Sequence, residues 1–223
     1  MAEVMTKLPP WNTGTLRYDF HVACVRKHPG RVLNVGCNED PSQLRVTFGN
    51  RVVNCDRSGW DEHMNRPNAV DRIFDALEFP WPFEDDSAEL VVLGDILEHF
   101  PAERSIEVLR EARRIADYVC VTVPEDTRID EAQAHKEWDA AAYNLHTTVV
   151  TRNVLESILA ASGWEADWIV SGLWGRGGDW GEDGINGWCA HAHRSDTPAF
   201  ATGGPVPGSA ENPLVAAARW TAA

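Results

Sequence analysis

Basic residues are scarce in this chain. Twenty Lys and Arg stand against thirty-four Asp and Glu, for a formal net charge of −14. Residues 39–98 alone hold fourteen acids and five arginines. A nucleic-acid surface needs a basic stripe, so DNA and RNA are not expected as partners. Long apolar runs are missing too. With neither a signal-peptide core nor a stretch of membrane-spanning length, the expectation is a soluble, cytoplasmic protein that makes no membrane contact. The five cysteines, at 24, 37, 55, 120 and 189, are an odd number without C-x-x-C spacing. This excludes a disulfide framework and points to reduced thiols in a core. The glycine-rich G-x-G-x-x-G loop of a dinucleotide site is absent as well.

What is present is a strand–turn–helix–strand–acid layout between Arg31 and Asp56. Val32-Leu33-Asn34-Val35 breaks at Gly36, and Asp40, Pro41 and Gln43 have the spacing of a helix start with a capping box. A second β-run, Val52 to Cys55, ends in Asp56, twenty residues beyond Gly36. In a nucleoside-binding crevice the glycine admits the ligand to the backbone and the acid accepts ribose hydroxyls. Glu39 and Asp40 sit where a pyrophosphate would rest on the helix N-terminus, and they would repel it. A nucleoside carrying positive charge and no phosphate fits better, and S-adenosylmethionine (SAM) is such a molecule.

At 223 residues, one domain with a full core is expected. A helix is expected from Thr15 to about His28, with Leu16, Phe20, Ala23 and Cys24 on one face. Residues 57–70 read as irregular and 72–75 as a short strand. Prolines 80 and 82 exclude regular structure around them. Leu90–Leu93 reads as a buried parallel strand. A helix comes next, from Pro101 to about Ile115, with Ile106, Leu109, Ala112 and Ile115 at helical spacing. Strand Tyr118–Val123 is followed by a polar segment to Tyr143, taken as partly helical. A helix capped by Thr151 runs to Ala161 and stops at Gly163. Strands Trp164–Val170 and Gly187–His193 flank a loop rich in glycine and tryptophan. Alternation of strands and helices predicts an α/β, doubly wound, Rossmann-like sheet of seven strands, mostly parallel with an antiparallel edge strand. Residues 1–193 form the domain, and 194–223 read as a flexible tail with a short helix near Pro213–Trp220.

Ligands of open α/β sheets bind beyond the carboxyl ends of the strands. Gly36, Asp56, Asp75 and Asp95 each fall at such an end. With these residues in place, the chain resembles the class I SAM-dependent methyltransferases over about residues 15–193. Val32-Leu33-Asn34-Val35-Gly36-Cys37-Asn38 resembles the first glycine motif of the family. Asp56 matches its ribose-binding acid, and Phe74-Asp75-Ala76-Leu77 the segment whose acid meets the adenine amino group. Ile96-Leu97-Glu98-His99 is similar to the family's V-L-E-H. His146 with Thr151, then Gly163-Trp164, resembles a later H-x-x-x-x-T and G-F pattern. The resemblance implies a cofactor site of Asn34, Gly36, Asn38, Asp56, Arg57, Asp75, Ala76 and Asp95. The chain departs from the family at Asn34, where an acid is usual, and at Asn38 and Asp40, where glycines are.

Methyl transfer from a sulfonium is an in-line displacement that relies on positioning, and a general base is needed only for a hydroxyl or a protonated amine. His146 and His99 are the expected catalytic residues, with His21 a third candidate. Cys189, His191 and His193 alternate on one strand, a spacing that seldom converges on one ion, so no metal is expected. Trp174, Trp180 and Trp188, with Trp11 and Trp138, suggest an aromatic wall and a small-molecule acceptor taking the methyl group on oxygen or nitrogen. The alternative is a catalytically degenerate methyltransferase fold that acts as a binding or scaffold subunit. A homo-oligomer is left open.

Overall fold

The apolar runs pair as a parallel sheet, and the amphipathic segments between them become the helices that cover it. A computed structural model describes residues 16–37, 42–58, 60–61, 66–67, 70–125, 146–175 and 185–197. In chain order the elements are α1 (Leu16–Lys27), β1 (Val32–Val35), α2 (Ser42–Phe48), β2 (Val52–Asp56), β3 (Trp60–Asp61), β4 (Arg66–Pro67), β5 (Arg72–Ile73), β6 (Ala88–Gly94), α3 (Ala102–Ile115), β7 (Ala116–Pro124), α4 (Arg152–Ala161), β8 (Trp164–Gly175) and β9 (Ile185–Arg194). Short 3-10 turns lie at 49–51 and 97–99.

The main sheet has seven strands in the order β5-β2-β1-β6-β7-β9-β8. The pairings β5–β2, β2–β1, β1–β6 and β6–β7 are parallel, while β9 runs against both β7 and β8. This is the expected α/β architecture with its antiparallel edge pair. One core, on the face covered by α3 and α4, gathers Leu33, Val91, Leu93, Leu109, Ile115, Val119 and Leu155. The other, on the face toward α1, gathers Phe20, Cys24, Val25, Val32, Leu90, Val92 and Cys120. Alternate residues of β1 and β6 fall in opposite clusters, as a strand buried on both faces requires.

Local signals hold in several places. The Thr151 hydroxyl accepts the Val154 N–H at 3.4 Å, capping α4, an interaction worth about 1 kcal/mol. Within the proline-rich 79–85 stretch, the Arg114 guanidinium reaches the carbonyls of Trp81 and Phe83 and the Asp85 carboxylate. These bonds take the place of a backbone ladder.

Some expectations need correction. The inner face of α1 carries Phe20, His21, Cys24 and Val25, whereas Ala23 is half-buried. On α3, Ser105 and Val108 join Leu109, Ala112 and Ile115 in the interior, while Ile106 packs half-buried against the same core. Residues 57–70 include the small antiparallel pair β3–β4, which polar sequence does not announce. The loop expected between Gly172 and Gly187 is strand at both ends, since β8 runs to Gly175 and β9 starts at Ile185. Pairing with β9 sustains the glycine positions, which have weak strand propensity of their own. The Asp40 cap, the 126–145 segment, Trp11, Trp138, Trp180 and the chain beyond 197 lie outside the described residues, as does the Trp174 side chain.

Candidate functional site

Because β5, β2, β1 and β6 are adjacent and parallel, the residues at their carboxyl ends share one edge of the sheet. Gly36 comes directly after β1, Asp56 is the last residue of β2, Asp75 lies two residues past β5, and Asp95 comes directly after β6. Four of the residues singled out in the sequence are thus brought to one rim.

Gly36 has φ +72°, and its N–H donates to the Cys55 carbonyl at 3.0 Å. A Cβ built there would stand 2.8 Å from Ile96 Cδ1. The turn therefore requires glycine twice, for its left-handed φ and for the close approach of the segment after β6. Asn38, next but one, lies outside the described residues. Asn34 is buried in β1 and donates its amide N–H to Asn54 Oδ1 at 3.2 Å across the strand pair. Its side chain is engaged with the neighbouring strand.

Asp56 is 8% exposed, and its Oδ1 accepts the Ser58 N–H at 3.4 Å. Its neighbour Arg57 is exposed. Asp75 Oδ1 accepts the Leu77 N–H at 2.8 Å and so shapes the turn after β5. Ala76 is a core residue whose carbonyl accepts the Trp81 indole N–H at 3.1 Å. Asp95 has φ +53° and donates its N–H to the Thr122 carbonyl at 2.8 Å. Thr122 Oγ1 donates to Asp95 Oδ1 at 3.4 Å and lies 2.8 Å from His21 Nε2. His21 thus reaches the rim through Thr122. The only sign of Thr122 in the sequence is one hydroxyl in an apolar strand.

The two expected catalytic histidines come together. His99 ends the 97–99 turn, and its ring centroid lies 5.1 Å from that of His146, with the planes at 68°. The Glu98 carbonyl accepts the N–H groups of Thr147 (2.8 Å) and Thr148 (3.1 Å), and Thr148 Oγ1 donates to the Phe100 carbonyl at 2.8 Å. These bonds hold residues 146–148 against the turn after β6. Glu98 itself is 1% exposed, with Oε1 4.0 Å from His99 Nε2. The sequence pattern does not single out Glu98 as a site residue, although the Ile96–His99 motif contains it.

His191 and His193 lie elsewhere. His193 pairs with Tyr118 near the start of β7, at the amino end of the parallel strands. The register of β8 slips between Ala166 and Trp168, and the extra residue, Asp167, turns between the two histidines. His191 Nδ1 is 2.8 Å from Asp167 Oδ2, and His193 Nδ1 is 3.0 Å from Asp167 Oδ1. His191 Nε2 meets His28 Nε2 at 2.8 Å, and His28 Nδ1 lies 3.2 Å from Glu89 Oε1. Trp188, expected in an aromatic wall, donates its indole N–H to Glu125 Oε2 at 2.6 Å.

No family model matches the chain, and no curated protein does. Solved structures with the same fold are many. A SAM-dependent methyltransferase from Archaeoglobus fulgidus is 16% identical, with 79% of this chain and 93% of that one covered and a TM-score of 0.51. The 1,6-didemethyltoxoflavin-N1-methyltransferase of Burkholderia thailandensis, solved with 1,6-didemethyltoxoflavin and S-adenosylhomocysteine bound, is 15% identical, with 83% and 80% covered and a TM-score of 0.57. A structure from work on the conversion of a disulfide bond into a thioacetal group during echinomycin biosynthesis is 18% identical, with 85% and 87% covered and a TM-score of 0.57. The architecture is that of the class I SAM-dependent methyltransferases.

Proposed function

We propose that this chain, which has the class I methyltransferase fold, binds SAM at the rim formed by Gly36, Asp56, Asp75 and Asp95 and transfers its methyl group to a small organic acceptor. The observation that carries this reading is the placement of one glycine turn and three carboxylates on the ends of four adjacent parallel strands. The donor set fits the cofactor. Carboxylates accept the hydroxyl and amino hydrogens of a nucleoside and attract a cationic sulfonium or ammonium, whereas a pyrophosphate would be repelled. When bound, SAM supplies an electrophilic methyl group.

The chain's own residues have separable tasks. Asp56 accepts ribose hydroxyls, and Asp75 accepts the adenine amino group. Asn34, Asn38, Arg57 and Ala76 belong to the surroundings of the same cofactor. Asp95, steadied by Thr122 and His21, faces the amino-acid end. His99 and His146 stand on the acceptor side, where a polar acceptor group is oriented and relieved of its proton. Structures of this fold act on a range of acceptors. The tryptophans at 174, 180 and 188 in the sequence, and the net charge of −14, favour a small organic molecule over a nucleic acid. Among the described residues no helix is long and apolar enough to cross a membrane. Five free, buried cysteines agree with a reducing, cytoplasmic setting.

Thermal unfolding with added nucleosides tests the reading. S-adenosylhomocysteine at 100 times its Kd should stabilise the fold by about 2.7 kcal/mol, and NAD should leave the Tm unchanged. A shift with NAD and none with S-adenosylhomocysteine contradicts the assignment. The Asn34–Asn54 bond favours one second reading, a binding subunit that holds the nucleoside without turnover. Release of S-adenosylhomocysteine across a panel of hydroxyl and amine acceptors separates the two.

A further inference from the structure

Two groups of histidines stand at opposite ends of the sheet, and they differ in what their nitrogens meet. At the amino end His28 contacts Glu89 and His191, and Asp167 contacts His191 and His193, at 2.8–3.2 Å. At the carboxyl end Glu98, His99 and His146 each offer one ligand atom, and the three atoms lie within 4.8 Å of one another. We propose that Glu98, His99 and His146 bind a divalent first-row transition-metal ion, and that this ion holds the acceptor's oxygen during methyl transfer. The second half of the proposal rests on the methyltransferase reading.

The geometry supports an ion-sized gap. A metal about 2.0–2.2 Å from nitrogen and oxygen ligands places those ligands roughly 3.0–3.5 Å apart. The present spread of 4.8 Å closes to that range with a shift of about 0.5–1 Å per side chain. Rotation of two half-buried imidazoles supplies such a shift. The backbone beneath is fixed, because the Glu98 carbonyl takes both the Thr147 and Thr148 N–H groups. Two imidazole nitrogens and one carboxylate oxygen suit the manganese-to-zinc series, whereas Mg²⁺ and Ca²⁺ favour oxygen shells. Three protein ligands leave open positions, which is the arrangement of a catalytic rather than a structural site.

The ion also selects the acceptor class. Open positions on it favour an alcohol or phenol, best one with a second oxygen on the neighbouring carbon so that both coordinate. On coordination the hydroxyl releases its proton to solvent, so that His99 and His146 act on the acceptor through the ion and not as its general base. The oxygen lone pair then forms the O–CH3 bond as the S–CH3 bond breaks, giving the methyl ether and S-adenosylhomocysteine, with no redox change.

The test uses the full chain stripped with EDTA and titrated with Co²⁺, read by its visible d–d absorption, with Zn²⁺ as competitor. One equivalent should bind, with bands of nitrogen and oxygen ligation. His146→Ala and His99→Ala should weaken binding roughly 100-fold, at the upper end of what even supporting residues cost a metal site, and Glu98→Gln is a third variant. Circular dichroism shows which variants fold, and the partly exposed His146 position makes its alanine variant the soundest. No d–d band, unchanged affinity in His146→Ala, or thiolate charge-transfer bands would each overturn the site. S-adenosylhomocysteine binding is measured separately in EDTA. Nucleoside binding without metal uptake overturns the metal alone. Metal uptake without nucleoside binding overturns its role in methyl transfer.

Discussion

His99 and His146 meet edge to face, 5.1 Å between centroids, although one belongs to the turn after β6 and the other precedes α4. Backbone bonds from Thr147 and Thr148 to Glu98 set this meeting, so removing either ring should leave the fold intact. For His146→Ala and His99→Ala we expect kcat to fall roughly 100-fold or more. Affinity for S-adenosylhomocysteine should change by less than about threefold, since Asp56 and Asp75, which take the nucleoside, follow other strands. Isothermal titration beside initial rates checks this. Equal losses in binding and turnover would place the pair in the cofactor pocket.

At Gly36 the prediction concerns stability. Gly36→Ala meets both a φ of +72° and Ile96 Cδ1 at 2.8 Å. Left-handed backbone costs a side-bearing residue about 1–2 kcal/mol, and overpacking adds about 1–3 kcal/mol. Urea unfolding should show the loss. The double variant Gly36→Ala/Ile96→Ala should recover the overpacking part and keep the φ cost. A double variant no better than additive would clear Ile96 of any part in the loss.

The rim was legible in the sequence because parallel strands announce themselves by short apolar runs, and the residues just past each run must lie at the same edge. Gly36, Asp56, Asp75 and Asp95 needed only that rule. Their partners are beyond its reach. Thr122, Asn54 and Glu98 matter because of who stands opposite them, and sheet order decides that. The β8 bulge that aims Asp167 at His191 and His193 left no periodic trace, and the glycines of 172–187 masked two strand ends that only pairing reveals.

Acid should unfold this protein through its buried histidines. His28 is driven from 6.5 down to about 4, first by burial and then by neighbouring His191, with Glu89 opposing and Lys27 adding to the fall. His191 shifts the same way, chiefly through burial, with Asp167 opposing. The unfolded chain therefore binds more protons than the folded one between these values. Stability is fully present above about pH 6.5 and is lost as the pH falls toward 4, by roughly 3 kcal/mol for His28. Urea unfolding across this window should show the slope, and His28→Gln should flatten it. An unchanged slope would exclude His28.

The thiols should be inert in the native state. All five cysteines are buried. Burial, reinforced by the nearby acid Asp71, pushes Cys55 up to about 12, and Cys37 and Cys120 are raised for the same first reason. Alkylation by iodoacetamide needs the thiolate, so mass spectrometry should find these three unmodified natively at neutral pH and labelled in denaturant. Fast native labelling of Cys37 would mean that the turn after β1 is open.

Whether the acidic rim holds a nucleoside is decided by calorimetric titration of S-adenosylhomocysteine into the wild-type chain, Asp56→Asn and Asp75→Asn. One site per wild-type chain is expected, weakened roughly tenfold or more in each variant, the scale of a lost bond to a charged group. Wild-type protein that takes up no nucleoside, or variants that bind it as tightly as wild type, would contradict a cofactor site at this rim.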